Sequence, residues 1–168
     1  RHPIDGYIPQ KGIGEGFFAE VLHVEDPYDR SPLAMKLFRK EVPEESIVKE
    51  RKEIARVHNP HNVPFMGHGV AKVQVSMLNE RNGKIREHSE QRSYLLMWYA
   101  EKGTVHDLIA RQRKQGILSS PQEISMYTTQ AARGIDAAHR LGKVHKDIKP
   151  GNLLLGSDDQ GNPILRVG

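Results

Sequence analysis

The feature that most constrains this sequence is a polar turn near its C-terminal end that leads straight into an apolar strand. Asp147 stands five residues before Asn152 within residues 145–152 (HKDIKPGN), and three leucines follow at positions 153–155. An aspartate is a proton acceptor and an asparagine is an oxygen ligand for a metal, so this spacing puts both groups on one loop. The pattern predicts a chemically active loop at the start of a buried strand.

A second constellation lies near the N-terminus, where Gly12, Gly14 and Gly16 separate two predicted strands. A backbone that closes over a triphosphate needs residues without Cβ, because a side chain would block the approach and restrict φ. Glycines at a hairpin turn are also common for purely structural reasons. Taken alone, the motif therefore leaves both interpretations open.

Lys36 lies in the middle of an apolar strand, where burying its charge without a partner is unfavourable. An edge-strand lysine that extends to water is the alternative. A helix predicted over residues 44–58 carries an apolar stripe, which consists of Ile47, Ile54 and Val57. Glu50 falls inside this stripe and Glu53 falls on its edge. We therefore expect Glu50 to pair with Lys36, and Glu53 to face solvent.

The order of the elements predicts a strand-rich first part and a helical second part, with a boundary at residues 100–102. Short apolar runs predict strands at residues 7–8, 21–24, 33–38, 70–77 and 94–99. The polar stretch 79–91 is predicted to join the last two strands as a hairpin with a turn at Asn82–Gly83.

Two helices are predicted in the second part. The first spans residues 105–115 and is introduced by Gly103 and ended by Gly116. The second spans residues 120–141 and starts with a capping box formed by Ser120 and Glu123. Its inward positions are predicted to be Ile124, Ala131, Ile135 and Ala138.

Composition excludes several classes of protein. The chain has 168 residues, 37% hydrophobic and 27% charged, with no cysteine, so disulfide frameworks and thiolate zinc sites are excluded. The net charge of +4 comes from interspersed charges, which favours a mixed solvated surface over a nucleic-acid interface. No apolar run reaches the ~18 residues of a membrane span, and no signal peptide is visible, so we expect a cytoplasmic protein. Because the chain begins at Arg1, we expect its N-terminus to be trimmed.

These motifs, in this order, resemble the catalytic domain of eukaryotic-type serine/threonine protein kinases. The resemblance covers essentially the whole chain and rests on the glycine loop, residues 34–36 (AMK), residues 94–99 (YLLMWY) and residues 145–152. It implies an α+β, two-lobed fold, with the small lobe at residues 1–99 and the hinge end and a partial large lobe at residues 100–168. It also implies ATP and Mg²⁺ as cofactors, and a protein substrate with a serine or threonine acceptor.

The resemblance also implies roles for individual residues. Asp147 would accept or orient the proton of the substrate hydroxyl, Lys149 would contact phosphate, and Asn152 would hold magnesium. Lys36 would reach the α- and β-phosphates and be paired with Glu50. The nucleotide would be contacted by Gly14, Gly16, Val21, Ala34, Lys36, Met97, Trp98, Tyr99, Ala100 and Leu154. Lys149 also points to serine/threonine rather than tyrosine substrates.

The chain departs from the family pattern at Ala19, where a third glycine is commonest, and at Lys146, where arginine is usual. Lysine lacks the bidentate fork of arginine, which puts control by activation-loop phosphorylation in doubt. Residues 163–168 are typical of the strand that precedes an Asp-Phe-Gly motif. We therefore expect a fragment that binds nucleotide weakly and does not turn over.

Three alternatives remain. A pseudokinase that serves as a nucleotide-binding scaffold is the first, because the second metal motif is not in the sequence. Small-molecule kinases share a similar aspartate-to-asparagine loop, but they usually lack this glycine loop and the lysine at position 149. A nucleic-acid-binding domain is the third, and it lacks a basic stripe interleaved with aromatic residues.

Overall fold

The computed structural model describes residues 3–79 and 84–168, and the chain forms two compact units. The first unit comprises Arg1–Arg51 and Phe65–Trp98, and the second comprises Lys52–Pro64 and Tyr99–Gly168. Strands dominate the first unit, whereas two of the three described α-helices lie wholly in the second. The fold class is α+β, as the sequence predicts.

The first unit is built on a five-stranded antiparallel sheet with strand order β1-β2-β3-β5-β4. Successive side chains of a strand point to opposite faces, so each apolar strand contributes alternate residues to one face. On one face these residues form a core cluster, in which Val24 and Met35 are fully buried. The strands are β1 (Ile8–Glu15), β2 (Ala19–Glu25), β3 (Pro32–Phe38), β4 (Phe65–Asn79) and β5 (Lys84–Trp98).

Several strand predictions were too short. Strand β1 continues through Gly12 and Gly14 to Glu15, because both glycines pair with β2. Most of the polar stretch predicted as a connection is strand, and β4 and β5 have 15 residues each. Charged side chains suit this strand because they pair with each other, as Arg92 does with Glu90 at 2.5 Å. The predicted turn at Asn82–Gly83 lies outside the described residues.

Helix α1 (Glu44–Ala55) starts where predicted but ends three residues earlier than expected. Pro60 follows closely, and a residue before proline is disfavoured in the helical conformation, which favours an early exit. Ile47 is buried, in agreement with the predicted apolar stripe. The chain passes from the first unit to the second within this helix, between Arg51 and Lys52.

The second unit combines helices α2 (Val105–Gln115) and α3 (Pro121–Arg140) with a three-stranded antiparallel sheet. Leu155, Leu165 and Val167 of the sheet form the buried centre, against which Tyr127 and Ile135 of α3 pack. The two-residue strand β6 was not predicted. The strands are β6 (Gly103–Thr104), β7 (Leu153–Ser157) and β8 (Pro163–Val167), and a 3-10 helix (Pro150–Asn152) precedes β7.

The helix ends follow local capping rules. At α2, the Thr104 hydroxyl accepts from the Asp107 amide while the Asp107 carboxylate accepts from the Thr104 amide, which is a complete capping box. Gly116 ends α2 in the left-handed region at φ 66°, as predicted. At α3, the Ser120 hydroxyl accepts from the Glu123 amide at 3.1 Å, which is one half of the box that we expected there.

One inward position of α3 was predicted wrongly. Ile124 is 55% exposed, because it lies in the first turn and outside the cluster formed with the sheet. Tyr127, which was not on the predicted list, packs there together with Ala131 and Ile135. Gly134 is the buried residue of this helix.

Candidate active site

The segment of residues 142–152, named here the Asp147 loop, begins where α3 ends. Leu141 caps the helix, and Gly142 turns the chain at φ 70°, a left-handed conformation that suits glycine. Lys146 also has positive φ, at 63°, which is uncommon for a residue with a side chain. At the other end, the 3-10 helix is closed by a bond from the Asn152 amide to the Lys149 carbonyl at 2.9 Å.

The Asp147 carboxylate is held by its two predicted neighbours. Its Oδ2 atom lies 2.8 Å from Lys149 Nζ and accepts from Asn152 Nδ2 at 2.9 Å. These two hydrogen bonds lower the pKa of Asp147 below its ordinary value, and the bond from Lys149 has the larger effect. The group is therefore a carboxylate at neutral pH. Within residues 3–79 and 84–168, Oδ1 accepts no hydrogen bond.

Asn152 is oriented by the same contacts. Its Nδ2 donates to the Asp147 carbonyl at 2.8 Å and also to the Asp147 carboxylate. These two bonds use both protons of the Asn152 side-chain amide. The side-chain oxygen is therefore on the opposite side of the amide, where it accepts nothing from the described part of the chain. An amide oxygen near a carboxylate is the kind of ligand that Mg²⁺ prefers.

His145 links the loop to the end of β8, a contact that the sequence did not reveal. Its Nε2 lies 2.5 Å from the Gly168 carbonyl, and its Nδ1 accepts from the Asp147 amide at 3.3 Å. A carbonyl only accepts, so the proton is on Nε2 and Nδ1 is free to accept. In this tautomer, with the proton on Nε2, the His145 ring contacts both the Gly168 carbonyl and the Asp147 amide, and it thereby holds the backbone at Asp147.

In the first unit, the expected ion pair is present: Lys36 Nζ donates to Glu50 Oε1 at 2.5 Å. Both side chains are about one-third exposed, so neither charge is fully desolvated. The ammonium also lies 5.2 Å from the centre of the Phe38 ring, two residues along the same face of β3. The angular argument that preferred Glu50 over Glu53 for this contact is thus supported by the structure.

Four predicted nucleotide residues of the first unit share one face of the sheet. Val21 pairs with Lys36 across β2 and β3, and Ala34 pairs with Met97 across β3 and β5. Directly opposed residues point to the same side, as do residues two apart in one strand. These four side chains therefore lie on the face opposite the main core cluster, whereas Trp98 pairs with Leu33 of that cluster and points to the cluster's face.

Gly14, near the end of β1, and Gly16, just after it, are not required by packing against the described part of the chain. A Cβ at Gly14 would come no closer than 3.7 Å to Val21, and one at Gly16 would lie 3.6 Å from the Ala19 carbonyl. Neither glycine has positive φ. Gly69 is different, because a Cβ there would lie 2.4 Å from the Tyr94 hydroxyl. Space at Gly14 and Gly16 is thus left for something outside the chain.

The remaining predicted residues belong to the second unit. Tyr99 and Ala100 follow β5 and are half-buried, and Leu154 lies in β7 opposite Thr104 and Arg166. Among the described residues there is no group of three or more His, Asp or Glu that could hold a metal on its own. That is compatible with Mg²⁺, which is usually bound by one or two protein oxygens together with phosphate and water.

The class of protein follows from a comparison with known families. The family described as the protein kinase domain matches residues 7–167, which is nearly the whole chain, and the chain belongs to this family. The α+β fold, with its antiparallel sheet in the first unit, is that of a protein kinase domain.

Similar proteins are serine/threonine kinases from distant organisms. Mouse serine/threonine-protein kinase 16 is 30% identical over 159 residues, which cover 95% of this chain and 48% of that protein. Serine/threonine-protein kinase PknE of Mycobacterium tuberculosis is 26% identical over 160 residues, covering 91% of this chain and 24% of that protein. The chain thus spans about half the length of the first of these relatives and about a quarter of the second.

The described helices were also compared with the requirements of a membrane span. Within residues 3–79 and 84–168, no helix is both long enough and apolar enough to cross a bilayer.

Proposed function

We propose that the chain provides the nucleotide-binding and hydroxyl-positioning part of an ATP- and Mg²⁺-dependent protein kinase that phosphorylates serine or threonine. The observation that carries this proposal is the Asp147 carboxylate, with Oδ2 held by Lys149 and Asn152 and Oδ1 without a hydrogen bond from any described residue. Such a group can accept a hydrogen bond from a substrate hydroxyl. Because its pKa is lowered, we assign it mainly to orienting the hydroxyl rather than to strong base catalysis.

Lys36 and Glu50 supply the positive charge of the first unit. Glu50 holds the ammonium in place, so Lys36 can donate to phosphate oxygens of a nucleotide. Gly14 and Gly16 leave the backbone open for close approach, and Val21 and Ala34 offer an apolar surface on the same side of the sheet as Lys36. This combination of cation, open backbone and apolar surface fits ATP.

The residues of the proposed nucleotide site come from both parts of the sequence. We assign Met97 to the back of the adenine site and the backbone of residues 98–100 to the adenine edge. In this assignment residues 1–99 form the small lobe, and residues 100–168 form the hinge end and part of the large lobe.

Magnesium would be held by the Asn152 side-chain oxygen, which the contacts to Asp147 leave free. When bound, Mg-ATP supplies the phosphoryl group and the metal charge that neutralises the phosphate oxygens. Lys149 can also donate to the phosphoryl group from its place beside Asp147, and its presence favours a serine or threonine acceptor in a protein substrate.

The test is phosphoryl transfer to a generic protein substrate by the full-length gene product. Asp147→Asn keeps the shape of the side chain but removes its charge, so kcat should fall by on the order of a hundredfold while ATP affinity changes only a few-fold. Lys36→Met should also abolish transfer. Asp159→Asn, the same chemical change at an exposed turn, serves as the matched control and should retain full activity.

Two results would contradict the proposal. A wild-type protein that binds Mg-ATP but transfers no phosphate to itself or to any protein substrate would indicate a pseudokinase scaffold instead. If Asp147→Asn transfers phosphate as fast as wild type, the assignment of the Asp147 loop is wrong.

A further inference from the structure

Lys143 is a charged residue near the proposed site to which the mechanism gives no role. Its Nζ is buried and has no hydrogen-bond partner in the described part of the chain. The nearest opposite charge is Glu53 Oε1 of α1, at 3.8 Å, and the two side chains are 24% and 50% exposed. Glu53 is exposed, as expected from its place on the edge of the apolar stripe, and its carboxylate lies within ion-pair distance of this lysine.

Lys143 lies at the start of the Asp147 loop, directly after α3. Its amide donates to the Ala138 carbonyl at the end of α3, and two residues later His145 reaches Gly168. The other contacts tie the Asp147 loop to α3, to its own residues and to the end of β8. Lys143 ties it to the last turns of α1, and both partners belong to the second unit.

Neighbouring apolar residues give the loop little packing. Val144 is 67% exposed and Ile148 is 46% exposed, so burial of these side chains does little to fix the backbone. Polar contacts must therefore set the loop conformation. Lys143 provides one of these before Asp147, and Asn152 provides another after it.

We infer that Lys143 is a positioning residue for the proposed phosphoryl transfer, and that it acts by an ion pair with Glu53 that holds the first half of the Asp147 loop. The inference rests on the proposed function for its kinetic readout. Burying an ammonium without a hydrogen bond opposes folding, and a half-exposed pair at 3.8 Å contributes little stability in return. Because the ion pair of Lys143 with Glu53 adds little stability, we explain the presence of a lysine at this position by the loop conformation that the pair specifies.

The test uses charge reversal in the full-length protein: Lys143→Met, Lys143→Glu, Glu53→Lys and the double exchange. Lys143→Met should lower kcat on the order of tenfold while the KM for ATP stays within about twofold, because the loop and not the nucleotide site is disturbed. Lys143→Glu should be worse, and the double exchange should restore most of kcat, because the opposite charges face each other again. Arg140→Met removes an exposed ion pair of α3 with Asp136 and is the matched control, with no expected change.

A second readout does not depend on activity. Cleavage by a lysine-specific protease after Lys146 reports loop order, and it should be several-fold faster in Lys143→Met and restored in the double exchange. If wild type transfers no phosphate, the proposed function fails, while this cleavage comparison still decides the positioning role. Unchanged kcat and unchanged cleavage in Lys143→Met would overturn the inference, as would a double exchange that stays as impaired as Lys143→Glu.

Discussion

Replacing Gly134 by alanine should destabilise the protein, although alanine is the better helix former. A Cβ at this position would lie 2.4 Å from the His61 carbonyl oxygen and 2.8 Å from Val167 Cγ2. The carbonyl cannot move away easily, because it accepts from the Val167 amide at 2.8 Å. Overpacking of this kind costs about 1–3 kcal/mol, whereas the gain in helix propensity is about 1 kcal/mol. We therefore expect a net loss of up to about 2 kcal/mol in the free energy of unfolding.

The assay is urea unfolding of wild type, Gly134→Ala and Ser125→Ala, followed by circular dichroism. Ser125 is an exposed position of the same helix, so its replacement should be neutral or stabilise by up to about 0.5 kcal/mol. The two alanine variants should therefore change stability in opposite directions. If Gly134→Ala is stabilised by about 1 kcal/mol, as propensity alone requires, then α3 does not approach the His61 backbone this closely.

Two further predictions separate function from stability. Gly14→Ala should leave the melting temperature within about 2 °C of wild type, because its Cβ meets only Val21 at 3.7 Å, but it should weaken ATP binding several-fold in a titration. The pKa of Asp107 is lowered first by the Thr104 hydroxyl and then by the Thr104 amide. The resulting stability is present above the carboxyl's unfolded pKa of about 3.9 and is lost as pH falls through the lower folded value. Asp107→Asn should therefore reduce stability by about 0.5–1 kcal/mol at pH 6 and make little difference at pH 2, as measured by thermal unfolding.

Much of the fold could be predicted because its signals are local. The extent of α2 follows from an apolar pattern closed by Gly116, and the start of α3 follows from Ser120 and a proline. The failures also have local causes. The polar half of β5 shows no apolar alternation, because charged neighbours such as Arg92 and Glu90 satisfy each other along the strand. Strand β6 has two residues, which is too few to give a pattern.

The candidate site divides in the same way. The contacts of Asp147 with Lys149 and Asn152 lie within five residues. The sequence places these residues on one loop, but it does not predict that their side chains bond to each other. The Lys36–Glu50 pair needed one more step, the angular position of Glu50 on a helix, and this was sufficient to choose it. No periodicity connects Lys143 with Glu53, and their contact exists only because the fold brings α1 to the start of the loop.

This difference in range has a consequence for how the site responds to mutation. Contacts within five residues close small loops, so their entropy of closure is low and they can persist when distant packing is weakened. The bond from His145 to Gly168 and the pair of Lys143 with Glu53 depend on the second unit being folded around β8 and the end of α1. A core substitution such as Gly134→Ala acts on that packing directly, at His61 and Val167. It should therefore leave the Asp147 carboxylate bonded to its neighbours while loosening the contacts that fix where the loop lies.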